Sequence, residues 1–305
     1  LARVDTLCLD KTGTLTKGEM EVQELIPLTG DPESLRADLG RFLSAFDDPT
    51  PTMRGLRAFI PAVSAEVTAT LPFSSARKKS AVSFADGRTL VMGAPSFVLD
   101  AAALARIQPQ IEAAARQGLR VMVLAAGKGV IDGEKLPEPL EPLGLCCLSD
   151  VLRDNVTETL DYFRRQGVTL KVISGDDPRT VANIARRVDM PGWENFVDAT
   201  TLTDDAALAE AAERCTIFGR VTPEQKRKLV EALKAAGHSV AMTGDGVNDI
   251  PALKAADCSI AMAGGADAAK HAAQLTLMNA DFAAMPEIVG EGRRVINNIT
   301  RAASL

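Results

Sequence analysis

Short, unbroken apolar runs recur along this chain, and polar or helix-forming stretches separate them. VDTLCL (4–9), LKVIS (170–174), TIFG (216–219) and SVAMTG (239–244) are too short for helices and carry little polar alternation. Such runs read as strands buried on both faces, the pattern of a parallel sheet. Between them lie helical stretches: Leu152–Gln166, then one opened by Asp177-Pro178, then one opened by Thr222-Pro223-Glu224-Gln225 and closed at Gly237. Asp177 and Thr222 are expected N-caps, the second in a capping box. After Asp245 the pattern continues with helix Ile250–Ala256, strand CSIAM and strand QLTLM (274–278). Alternation of this kind predicts an α/β domain, a Rossmann-like parallel sheet with helices on both faces.

The alternation breaks after the first strand. From about residue 23 to 141 the pattern changes to a helical stretch (Ser34–Phe46), a proline-rich passage and two strands, Lys78–Phe84 and Arg88–Gly93. Ala85-Asp86-Gly87 joins those strands as a hairpin turn. A helix (Ala101–Gln117) and a strand (Leu119–Ala125) follow, and Gly133–Gly144, with three prolines, reads as a linker. The expected organisation is one domain from 1–22 and 142–305, interrupted by a small α+β domain at 23–141.

Composition narrows the partners. The 305 residues are 46% apolar and 24% charged, as in globular domains, and 305 residues suffice for two cores. A formal net charge of −6 argues against nucleic acid. Five scattered cysteines have no metal-type spacing and read as buried thiols. No apolar run has the length of a membrane-spanning helix. The start at Leu1-Ala2-Arg3 and the stop inside a helical stretch beginning near Ile288 lead us to expect a piece of a longer protein.

Two runs carry the candidate chemistry: DKTGTLT at Asp10–Thr16 and TGDGVND at Thr243–Asp249. Each places an aspartate at the carboxyl end of a strand, where the ligands of open α/β sheets bind. Asp10 is a candidate nucleophile, since a carboxylate accepts a phosphoryl group as an acyl phosphate. Thr12-Gly13-Thr14 form a tight loop able to turn amides toward phosphate oxygens. Ser174, Gly175 and Asp176 end another strand and offer a hydroxyl and amides. Lys226, in the first turn of its helix, is a candidate fixed cation. Asp245 with Asp10 would make a hard-oxygen Mg²⁺ site, which Asn248 and Asp249 would support. Taken singly each has a plainer role: a capping aspartate, a solvated helix lysine, an ordinary turn. Their order along one β/α series favours function.

These motifs, with TPEQK at 222–226, resemble the P-type cation-transporting ATPases of the haloacid-dehalogenase-like superfamily, and the resemblance covers the whole chain. It implies that ATP phosphorylates Asp10, that Lys11 and Thr12 shape the site, and that Asp10, Thr12 and Asp245 take Mg²⁺. It implies that Ser174 and Lys226 contact the phosphoryl group and that LSDVLRD (148–154), with Arg153, is the hinge into the inserted nucleotide domain. In that domain Phe73 would stack on adenine, with Arg77, Lys78 and Gly93 nearby. Phe73 as a core residue and Lys78 as an edge-strand guard remain open. The resemblance further implies an actuator domain and membrane helices elsewhere in a parent pump, those helices binding the transported cation. It places this chain on the cytoplasmic side of the plasma membrane.

Three positions depart from the pattern: Met92 stands at a usual lysine, Val151 at a usual proline and Ser174 at a usual threonine. The block lacks a Ser-Glu-His-Pro segment, so the expected parent is a bacterial-type pump for a hard cation such as Ca²⁺ or Mg²⁺. A soluble phosphatase of the superfamily would carry a second aspartate at position 12, where this chain has threonine. A non-catalytic Mg²⁺ and nucleotide module is the other alternative, disfavoured by Asp10 and Lys226 together.

Overall fold

The computed structural model describes residues 3–47, 49–74, 76–278 and 282–303. In chain order the first strands are β1 (Thr6–Leu9) and the long β2 (Thr16–Pro27), followed by helices α1 (Pro32–Ser44) and α2 (Pro51–Phe59). Strands β3 (Val67–Leu71), β4 (Lys79–Phe84) and β5 (Arg88–Gly93) lead to helices α3 (Pro95–Val98) and α4 (Ala101–Arg116). Strands β6 (Arg120–Lys128) and β7 (Glu141–Leu152) close this part.

Alternation then resumes with α5 (Val156–Arg165), β8 (Thr169–Ile173), α6 (Pro178–Arg187), β9 (Phe196–Asp198) and α7 (Asp205–Arg214). It continues through β10 (Ile217–Gly219), α8 (Pro223–Ala235), β11 (Val240–Gly244), α9 (Ile250–Ala255) and β12 (Cys258–Met262). The last elements are α10 (Asp267–Ala272), β13 (Leu275–Leu277) and α11 (Met285–Ala303). Among the described residues no helix is long and apolar enough to cross a membrane.

The chain divides into two compact units, Leu1–Gly18 with Leu152–Leu305, and Glu19–Val151. The expected boundaries at 22/23 and 141/142 therefore differ from those observed. The proline-rich segment Gly133–Gly144 runs into β7 rather than ending a domain, since Pro142 lies inside that strand, opposite Ala125, where the β6–β7 register shifts. Proline is tolerated at such an irregularity, where the ladder is already interrupted. Helix α2 and strand β3 were also unforeseen.

The first unit holds a seven-stranded sheet in the order β13-β12-β11-β1-β8-β10-β9, and every pair in it is parallel. Side chains alternate across it. Leu7 and Leu9 pack with Phe163 of α5, Ile184 of α6 and Met285 of α11, while Cys8 packs with Leu208 of α7, Leu229 of α8 and Leu253 of α9. Both faces are thus covered, as the strand pattern requires. The helix starts are made locally. Thr222 Oγ1 accepts the Gln225 amide at 3.2 Å, and Gln225 Oε1 accepts the Thr222 amide at 3.1 Å. Asp177 Oδ1 accepts the Arg179 amide at 3.0 Å, and Pro178 stands at the start of α6. These caps aim α6 and α8 from the carboxyl edge of the sheet.

The second unit holds a six-stranded sheet in the order β2-β7-β6-β5-β4-β3, antiparallel from β3 through β7. Leu39 and Phe42 of α1 and Leu56 of α2 pack on one face with Phe84, Leu90 and Met92. Val98 of α3 and Ile107 of α4 pack on the other with Val91 and Val123. A bidentate ion pair locks α1 to β5: Arg88 Nη1 donates to Asp38 Oδ1 at 2.6 Å and Nη2 to Oδ2 at 2.8 Å.

Candidate active site

The carboxyl ends of β1, β11 and β8 stand side by side because β1 pairs in parallel with both neighbours. That register brings Asp10 and Asp245 together across the long separation between them in sequence. Oxygens of Asp10, Asp245 and Asp249 lie within 4.8 Å of one another. Lys226 reaches in from α8, with Nζ 2.6 Å from Asp10 Oδ1 and 2.6 Å from Asp249 Oδ1.

The carboxylates are not equivalent. Asp249 is saturated by its surroundings, since its Oδ1 accepts from Lys226 and its Oδ2 accepts the amides of Asp245 at 3.2 Å and Gly246 at 3.0 Å. It therefore acts as the anchor of the loop. Asp10 and Asp245 keep lone pairs for a ligand, and their hard oxygens suit Mg²⁺. The donor set fits that ion, with Asp249 orienting the other two.

Electrostatics follow from crowding. Asp10 is only 6% exposed. Burial pushes its carboxyl up to about 7, the nearby Lys226 ammonium opposes this, and Asp249 and Asp245 add to the rise. Burial and the Asp249 charge also raise Asp245. Lys226 loses solvation, but Asp10 and Asp249 outweigh that and hold it more firmly protonated than usual. At 2.6 Å the contact with Asp10 is that of an ion pair, so Lys226 keeps one carboxylate charge tolerable in a buried site.

The loop after Asp10 is shaped by close contact. Gly13 has φ +73°, and a Cβ there would stand 2.2 Å from Asp245 Oδ2. Only glycine lets the loop lie against that carboxylate. Arg153 donates from Nε to Gly13 O at 2.7 Å, so it braces the same loop.

The neighbouring residues divide between the cluster and its margins. Lys11 is 2.6 Å from Asp176 Oδ2, linking the ends of β1 and β8. Ser174 is buried, and its Oγ accepts the Asp176 amide at 3.2 Å. Gly175 lies between them, and a Cβ there would make ordinary van der Waals contact with Val221 O at 3.7 Å. Thr12 is half-buried, and Asn248 is exposed outside the hydrogen-bonded cluster. Sequence reasoning missed Thr243, whose buried hydroxyl accepts the Asp10 amide at 3.0 Å. Its place two residues before Asp245 in the same motif was the available signal.

In the second unit Phe73 is 48% exposed, which excludes the core role. Arg77 pairs with Glu134 at 2.6 Å and donates to Pro72 O at 3.1 Å. Lys78 has φ +50° and its ammonium lies 5.3 Å from the centre of the Phe97 ring. Gly93 ends β5, where a Cβ would meet Lys78 O at 2.5 Å. Met92 is buried at 2% exposure within the α1–α2 core, so no side chain at this position of the strand faces solvent.

Comparison with known proteins gives the family and the fold. The chain matches the haloacid dehalogenase-like hydrolase family over residues 4–257. It is 44% identical over 311 residues to the probable cation-transporting ATPase exp7 of Streptococcus pneumoniae, covering 100% of this chain and 39% of that protein. It is 45% identical over 309 residues to the calcium-transporting ATPase CtpE of Mycobacterium tuberculosis, covering 100% of this chain and 38% of that one. The chain thus spans less than two fifths of these relatives. A zinc-transporting PIB-type ATPase in its E2.Pi state shares the fold, with TM-score 0.72 and 24% identity over 98% of this chain and 43% of its own.

Proposed function

The chain belongs to the haloacid dehalogenase-like hydrolase family and is similar over its whole length to cation-transporting ATPases; from that premise we propose that it is the phosphorylated catalytic region of a P-type pump. The observation that carries this reading is the buried Asp10 held against Lys226, with Asp245 beside it. An Asp10 oxygen attacks the γ-phosphorus of ATP, the bond to the bridging oxygen breaks, and ADP leaves with that electron pair. The product is an aspartyl phosphate.

Each residue has a part in that step. Lys226 balances charge at Asp10 before transfer and remains beside the new phosphoryl oxygens after it. Asp10 and Asp245 would hold Mg²⁺, which when bound neutralises the charge of the transferring group. Asp249 keeps Lys226 and the Asp245 loop in place. Ser174 and the amides after β8 would receive phosphoryl oxygens. Thr12 offers no carboxylate to activate water, which favours a persistent intermediate over rapid hydrolysis.

The second unit would be the nucleotide domain, with the exposed Phe73 as the adenine platform and Arg77 and Lys78 at its margin. Membrane helices and an actuator domain outside these residues would complete the pump, on the cytoplasmic face of the plasma membrane. A calcium-class cargo is proposed from the name of the CtpE relative alone.

The test is labelling with radioactive acetyl phosphate and Mg²⁺, an acid quench and a chase. A stoichiometric, hydroxylamine-labile label on Asp10 that decays slowly supports the pump reading. Rapid multiple turnover would replace it with a phosphatase, and absence of label with a binding module.

A further inference from the structure

We infer that Thr243 is a positioning residue: its hydroxyl fixes the backbone of Asp10 and thereby sets the Asp10 carboxylate against that of Asp245. This rests on the reading of Asp10 and Asp245 as nucleophile and metal carboxylate. The β1–β11 ladder pairs Thr6 with Val240, Leu7 with Ala241 and Cys8 with Met242. Past that point a side chain makes the link, as the Asp10 amide donates to Thr243 Oγ1 at 3.0 Å.

The same oxygen lies 3.1 Å from Thr14 Oγ1, and both threonines are fully buried. Having accepted from the Asp10 amide, the Thr243 hydroxyl is free to give its hydrogen to Thr14. One hydroxyl thus joins Asp10, the residue just past β1, the loop that follows it and the strand that delivers Asp245. Away from solvent, such a bond has no water to replace it. Asp10 is the last residue before the chain turns, so a slack amide there moves the carboxylate directly.

Valine is nearly isosteric with threonine and removes only the hydroxyl, and serine keeps the hydroxyl and removes the methyl. Mg²⁺ affinity is measured by calorimetry on the 305-residue chain, beside the initial rate of labelling by acetyl phosphate. Thr243→Val is expected to weaken Mg²⁺ binding and slow labelling by about tenfold each, the scale at which residues that orient metal ligands act. Thr243→Ser is expected to stay within about threefold of the wild type, because the hydroxyl is restored.

Equal Mg²⁺ affinity in the wild type and Thr243→Val overturns the inference. So does a folded Thr243→Ser that fails like valine, since packing and not the hydroxyl would then matter. If Thr243→Val does not fold, Thr243→Ala set against Thr243→Ser decides, since those two variants differ only by the hydroxyl that accepts the Asp10 amide. Equal Mg²⁺ affinity and labelling rate in the two would overturn the inference. The calorimetric arm reads Thr243 whether or not Asp10 is phosphorylated, so an unlabelled wild type refutes the proposed function alone.

Discussion

Lys226 Nζ is shared equally by two carboxylates, 2.6 Å from Asp10 Oδ1 and 2.6 Å from Asp249 Oδ1, and all three side chains are largely buried. One cation therefore holds the nucleophile and the anchor of the metal loop together. Removing it leaves two buried negative charges with Asp245 beside them. Breaking one side of a buried ion pair costs about 3–5 kcal/mol. Lys226→Met should lower stability on that scale in urea melts without Mg²⁺ and abolish labelling of Asp10. A variant of wild-type stability would mean that the pair contributes nothing in solution.

Burial of Asp10, with a smaller contribution from the neighbouring Asp249 and Asp245 charges, also sets the pH dependence. The Asp10 carboxyl rises from an ordinary value of 3.8 to about 7 in the folded chain. Between those values the folded state binds more protons than the unfolded one, so stability falls as pH rises. Asp245, shifted in the same direction, adds to that slope. The raised Lys226 acts only above its ordinary value of 10.5, outside this window. Without Mg²⁺ the melting temperature should drop from about pH 4 to about pH 7 relative to Asp10→Asn, and Mg²⁺ should reverse the drop. Wild type and Asp10→Asn with parallel pH profiles would refute this.

Much of the site was legible in the sequence because strand-end motifs state their chemistry locally. Asp10, Asp245 and the Thr222–Gln225 capping box are all where the motifs implied. What was not legible depends on partners from distant strands. No spacing says that Lys11 pairs with Asp176, or that Thr243 receives the Asp10 amide, because both follow from the β8-β1-β11 order. The boundary errors have a different cause. Pro142 reads as a linker residue, yet it sits within β7 next to the point where the β6–β7 register shifts. Strand β3 lies at the sheet edge with exposed residues, so its apolar signal is weak.

Gly13 gives a test of loop shape separate from charge. With φ +73° and a would-be Cβ 2.2 Å from Asp245 Oδ2, alanine must displace that carboxylate. The left-handed backbone adds a cost of about 1–2 kcal/mol. Gly13→Ala should fold with a slightly lower melting temperature, while Mg²⁺ affinity by calorimetry falls by about tenfold or more. Undiminished Mg²⁺ binding would exclude Asp245 as a ligand.

In the second unit Phe73 and Met92 stand at opposite extremes of exposure. Phe73, 48% exposed, is free to stack, and Phe73→Ala should leave stability within about 0.5 kcal/mol. Its effect should appear in ATP affinity, weakened by about tenfold, or about 1.4 kcal/mol. Met92 is the opposite case: at 2% exposure it packs with Phe84, Leu90 and Leu124. Restoring the lysine of the resembled family would bury an ammonium among these side chains. Met92→Lys should therefore destabilise this unit by several kcal/mol without strengthening ATP binding. A stable Met92→Lys chain with tighter ATP binding would show that β5 turns this position toward the nucleotide, and would move the proposed pocket to that face.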